Sequence, residues 1–204
     1  SGSCKTMSTI KSPRNKKMIR TTQDDARENK QIEVFELTPL QGRSNRYIPD
    51  AMFELNGKTV QVELKTSDVR KRQVSTARNV TLPKLNEYKK VLWVFSQYQK
   101  TEEGFIFTGE HYACRGEDLE PWLEKQKQKL LWGTKSYAGL EHWEECKRVC
   151  EGKVSSDVLT KMDNVLQKRA GLNDPRISWT TVEQLGTRLD PTRLAQHLRE
   201  VAEE

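Results

Sequence analysis

Long apolar runs are missing from this chain. No stretch approaches the roughly 20 residues that a helix needs to span a bilayer, so no membrane partner is expected. Aromatic residues make up only 7% and hydrophobic residues 34%, against 31% charged residues, so the surface is very polar. No apolar leader is expected either, since SGSCKTM has no h-region, and Ser-Gly-Ser without Met reads as an expression scar. Cysteine is scarce. Four residues, at positions 4, 114, 146 and 150, form no paired framework in 204 residues. A disulfide-built scaffold is therefore not expected, and a reducing, cytoplasmic setting is. Histidine is scarcer, with three residues and no nucleophile-elbow motif, which leaves Ser-His-Asp hydrolysis without support. His142, Cys146 and Cys150 stand at i, i+4 and i+8. On a helix the outer two are about 12 Å apart, a poor match to a tetrahedral zinc ion even with His111 and Cys114 nearby in sequence.

What is abundant is positive charge: 35 Lys and Arg against 29 Asp and Glu, a net +6. That balance favours an acidic partner, most simply a nucleic acid backbone. The length suits one ordinary domain. Residues 1–20 are basic and nearly free of apolar side chains, and read as a flexible segment. The pattern over 21–37 predicts a helix with Ile32 and Phe35 near one face, followed by the loop TPLQGRSN at 38–45. AMFEL and TVQVELK flank Asn56-Gly57 and predict a β-hairpin. A short helix around Pro83 to Lys89 follows. VLWVFSQY at 91–98 reads as the middle strand of a sheet, FIFT at 105–108 as another strand. GEDLEPWLEKQKQKLL reads as a helix with Leu119, Trp122, Leu123 and Leu130 near one side. Residues 139–170 read as helical, broken around Gly152. Residues 171–189 read as a turn, then a strand or short helix, and the C-terminus as a helix with Asp190 as N-cap and Pro191 in its first position. Trp122, Trp132, Trp143 and Trp179 read as packing residues.

The hairpin carries the chemistry. Alternation along Val60–Lys65 puts Glu63 and Lys65 on one face, with Val62 and Leu64 on the other, toward the core. The Asn-Gly turn folds Asp50 back toward Glu63. Two converging carboxylates repel unless a cation sits between them, and oxygen ligands suit Mg²⁺ or Mn²⁺ rather than zinc. An ammonium beside such an ion can hold a phosphate oxygen and position an attacking water. The pattern thus describes a device for phosphodiester hydrolysis, although Glu-x-Lys on a strand is commonly just a solvated pair. The Asn-Gly link, the basic charge and the apolar strand behind the site favour the catalytic reading.

Pro49-Asp50 with Glu63-Leu64-Lys65 resembles the PD-(D/E)xK nuclease signature. VELKTSDVRKRQVSTARNVTLPKLNEYKKVLWVFSQY, EDLEPWLEKQKQKLLWG and NDPRISWTTVEQLGTRL, in that order, are similar to segments of type II restriction endonucleases of that superfamily. The likeness covers about residues 28–136 and 173–189. It implies an α/β fold: a central mixed β-sheet flanked by helices, a restriction-endonuclease-like core at about 28–136, a helical insertion at about 137–170 and an added helical C-terminal region, all within one nuclease domain over 21–204. It implies a sequence-specific endonuclease that acts as a homodimer on duplex DNA with a short palindromic site, leaving 5′-phosphate and 3′-hydroxyl ends. By the same likeness Asp50 and Glu63, with the Leu64 carbonyl, would bind Mg²⁺ (with Mn²⁺ as a substitute), Lys65 would be the catalytic lysine, and Tyr88 would stand close behind. Ser75 and Thr76 would open the DNA-reading stretch. The family's histidines are replaced there by Ala77-Arg78-Asn79. Arg pairs with guanine O6/N7 and Asn with adenine N6/N7, so Arg78 and Asn79 are the expected base readers. Arg70, Lys71 and Arg72 are expected on phosphates, with Lys84, Lys89 and Lys90 as weaker candidates. Two readings stay open beside this one: another PD-(D/E)xK nuclease (resolvase, repair or viral RNA endonuclease), or a catalytically silent DNA-binding module of the same fold.

Overall fold

A computed structural model of the chain describes residues 23–40, 49–133, 148–149, 151–161 and 171–204. The expected basic segment 1–20, most of the insertion, His142, Cys146 and Cys150 lie outside the described residues.

The centre is a mixed sheet whose nucleus is the expected hairpin. Strand β2 (Ala51–Leu55) turns at Asn56-Gly57 into β3 (Lys58–Asp68). Both turn residues have positive φ, 52° and 76°, the requirement of a type I′ turn that matches strand twist. Pairing Ala51 with Val62 sets the register. On the outer side of β2 runs β1 (Thr38–Pro39), a short strand where the composition suggests only loop; its Pro sits at a sheet edge, where no N–H is needed. On the inner side β3 pairs in parallel with β5 (Leu92–Thr101). Parallel neighbours need a crossover, supplied here by β4 (Gln73–Val74) and helix α2 (Leu82–Tyr88). Thr81 caps α2 through its hydroxyl, and Pro83 sits in the first turn. β6 (Gly104–Arg115) returns antiparallel to β5 and is far longer than FIFT alone suggests.

Helix α1 (Gln23–Val34) and a C-terminal helix, α5 (Leu194–Glu203), cover one face of the sheet, around Phe35, Phe53, Val62, Leu64, Val94 and Leu198. Helix α2, helix α3 (Glu120–Gly133) and α4 (Trp179–Leu185) cover the other, around Trp93, Phe95, Leu119, Trp122, Leu123 and Leu130. Fully burying such side chains contributes about 1.5–3 kcal/mol each. Before α4, β7 (Ile177–Ser178) pairs with β4, and after it β8 (Thr187–Arg188) pairs with Tyr112–Ala113 of β6. The described part of the insertion turns at Gly152 and is helical over 156–161.

The C-terminal helix starts later than expected. Asp190 does not cap it: its carboxylate accepts from the N–H and hydroxyl of Thr192, closing a local turn. The helix opens at Leu194, after Arg193, which makes no side-chain cap.

Candidate functional site

Register carries Asp50 to its place. Ala51 lies opposite Val62, so the residue before it lies beside the Glu63–Leu64 end of β3. The Leu64 N–H donates to Asp50 Oδ2 at 2.8 Å. In a strand the N–H and carbonyl of one residue share an edge, which turns the Leu64 carbonyl to the Asp50 side. Alternation holds on β3: Val62 and Leu64 are core residues of one face, while Glu63 and Lys65 share the other. Their neighbours in register on β5 are Trp93 and Phe95.

Neither charge is solvated, as an ordinary Glu-x-Lys pair would be. The Glu63 and Lys65 side chains are only 10% and 15% exposed, and Lys65 Nζ lies 3.3 Å from Glu63 Oε1. The ammonium also donates to the Thr76 carbonyl at 3.3 Å. Burial is the main force raising both acids above the usual carboxylate range. For Asp50 the Leu64 N–H and Lys65 oppose it; for Glu63 Lys65 opposes it and Asp50 reinforces it. Lys84 of α2 also favours the charged form of both acids. Tyr88, buried edge-on against Trp93 at 4.7 Å between centroids, has its hydroxyl pKa pushed up by burial first and then by Glu63, Asp50 and Asp174. Both acids thus act on its hydroxyl.

The site opens into a cleft of about 460 Å³ lined by Asp50, Leu64 and Lys65 together with Arg27, Glu28, Lys71, Ser75, Thr76, Lys100 and Arg176. Glu28 is the residue that sequence reading misses. This half-buried carboxyl of α1 is raised to about 7, by burial first and then by Asp50, Asp25 and Glu63. Arg27 and Gln31, four apart, are both buried, so α1 turns polar as well as apolar residues to the sheet, which its sequence pattern does not announce.

The wall at 72–80 is fixed from a distance. Thr76 N–H donates to Asp174 Oδ1 (2.9 Å) and its hydroxyl to the Pro175 carbonyl (2.6 Å). The Asp174 N–H donates to the Ala77 carbonyl, and Val80 and Leu172 exchange two backbone bonds. Asp174 itself adopts φ 49°.

Of the expected DNA contacts, Lys71, Ser75 and Thr76 line the cleft. Arg78 and Asn79 are exposed on the adjoining segment rather than in the cleft, and the Asn79 amide rests over Gly171, where a Cβ would lie 1.6 Å from its Oδ1. Arg70 and Arg72 are engaged within the protein: Arg70 with Asp68 at 3.5 Å, Arg72 with Glu183 at 2.8 Å. Lys89 and Lys90 pair with Glu120 and Glu87. Lys84 lies over the Tyr88 ring at 5.3 Å.

Among the described residues no cluster of three His, Cys, Asp or Glu side chains stands at metal-ligating distance. What they offer a hard cation is two carboxylates and a strand carbonyl, all oxygen donors, in a desolvated place where the acids destabilise each other. That donor set fits Mg²⁺ or Mn²⁺. Comparison with protein-family models returned no match to this chain, and comparison with curated proteins returned none either.

Proposed function

We propose that the cleft is the active site of a divalent-cation-dependent endonuclease acting on duplex DNA, a type II restriction enzyme with a restriction-endonuclease-like core. One observation carries the reading: Asp50 and Lys65 line one cleft, and the lysine ammonium lies 3.3 Å from the buried Glu63 carboxylate. Asp50, Glu63 and the Leu64 carbonyl would hold Mg²⁺ or Mn²⁺. When bound, the ion lowers the pKa of an attacking water and neutralises charge on the leaving oxygen. Lys65, kept from bulk water, holds a phosphate oxygen and orients the water on the same face. Its bond to the Thr76 carbonyl limits the ammonium to one direction. Glu28, raised to about 7, stands at the mouth of the site as a carboxyl able to hold or release a proton near neutral pH. Lys71, Lys100 and Arg176 on the walls would meet a phosphate backbone, beside Asp24 and Asp68 of the same lining. A homodimer would present two such clefts to the two strands of a palindromic site.

The test is plasmid cleavage with Mg²⁺, followed by sequencing of the fragment ends. Discrete fragments with 5′-phosphates are expected, and chelation should abolish them. Lys65→Ala should cut turnover by about 10²–10⁴-fold while DNA binding persists. Activity confined to junctions or RNA would make this another kind of nuclease. Binding without any cleavage would make it a silent module.

A further inference from the structure

The face of the sheet opposite Lys65 contains a polar chain that the reaction does not use. Gln31, Ser96 and His111 are 1%, 0% and 3% exposed. They come from α1, β5 and β6. An amide buried among apolar groups costs stability unless it is paired, and here its NH₂ group finds two acceptors. Gln31 Nε2 donates to the Lys65 carbonyl and to Ser96 Oγ, both at 3.0 Å. Ser96 Oγ, an acceptor from Gln31, also shares a hydrogen bond with His111 Nδ1 at 2.8 Å. The imidazole is held edge-on by Phe35 and Phe107, 5.5 and 5.3 Å away.

Apolar side chains of the same shape would fill this space at little cost to stability. What they would not do is grip one chosen carbonyl. That carbonyl belongs to Lys65, whose side chain on the other face reaches Glu63 and Thr76. The neighbouring Thr66 is gripped as well, by Arg27 Nε at 3.1 Å. Both clamps come from α1, the helix that carries Glu28 to the cleft. We propose that Gln31, Ser96 and His111 form a buried positioning chain that locks β3 at Lys65 against α1, and so sets the aim of the ammonium at Glu63 and its distance from Glu28. A displacement of about 1 Å at a reacting group costs on the order of 10²-fold in rate, which is why such a lock matters.

The kinetic arm of the test rests on the nuclease reading; the spectroscopic arm does not. Ser96→Ala removes one oxygen, and Gln31→Met keeps the length of the side chain without its donors. Should Gln31→Met fail to fold, Ser96→Ala decides alone. In folded variants, the Lys65 Cε and Nζ NMR signals should leave their wild-type positions and approach those seen in Glu63→Gln. With Mg²⁺ and plasmid DNA, kcat should fall roughly 10–100-fold while KM for DNA stays in place. Lys65 signals at their wild-type positions in the variants overturn the proposal. So does unchanged kcat in a protein whose wild type cuts and whose Lys65→Ala variant does not. A wild type that cuts nothing sinks the nuclease reading, and the NMR comparison then decides the positioning chain by itself.

Discussion

His111 shows how a single side chain ties stability to acidity. Burial lowers its pKa from 6.5 to about 4. Between those values protons favour the unfolded chain, so its contribution is intact above about pH 6.5, declines as pH falls, and is fully lost near pH 4. The shift corresponds to about 3 kcal/mol. Glu28, Asp50 and Glu63 act in the opposite direction, because acids raised by folding gain stability as pH drops. Urea unfolding of wild type and His111→Gln at a series of pH values separates the two: the stability gap between them should narrow steadily from pH 7 to pH 4. A constant gap would show that His111 does not stay neutral in the folded protein. Arg78 and Asn79 belong to this scale as well. They are exposed beside the cleft, so Arg78→Ala should relax discrimination at one base pair or collapse activity, read by sequencing cleavage ends. Unchanged rate and specificity would remove Arg78 from the readers.

Elements depend on close backbone approaches that side-chain patterns do not announce. Gly116, just past β6, is packed so that a Cβ would lie 2.3 Å from the Lys89 carbonyl oxygen at the end of α2. Gly116→Ala should therefore cost about 1–3 kcal/mol, measured as a lower urea midpoint, with neighbouring backbone forced to shift. The hairpin was legible in sequence because Asn-Gly turns and alternating apolar residues are local signals, and they place Asp50, Glu63 and Lys65 together. Strand β5 and helix α3 were legible for the same reason. The start of α5 was not, since Asp190 can satisfy Thr192 as readily as a helix end. Nor was Glu28, because polar residues on α1 reveal their direction only once a sheet lies beneath them. The pairing of β4 with β7 was illegible too: two-residue strands have no period, and their partner lies about a hundred positions away, as with the Thr76–Asp174 bond at a separation of 98.

At the scale of the whole molecule, the sequence carries an excess of six positive charges, and Lys71, Lys100 and Arg176 line the cleft. Binding to duplex DNA should weaken steeply with salt, and each lost phosphate contact should flatten the log–log slope by about 0.9. Lys71→Ala, on the cleft wall, should weaken binding evenly across sequences with that flattening, measurable by fluorescence anisotropy at several salt concentrations. Selective loss on one sequence would instead make Lys71 a base reader.

The clamp of residues 174–175 on Thr76 also has a consequence in time. Lys65 leans on the Thr76 carbonyl, and Thr76 is held by partners that lie 98 and 99 positions later in the chain. A ribosome adds roughly 5–20 residues per second, so a growing polypeptide spends several seconds with its hairpin made and that support still unsynthesised. The brace on Lys65 is thus completed late in translation, and an unfinished chain released early would lack it.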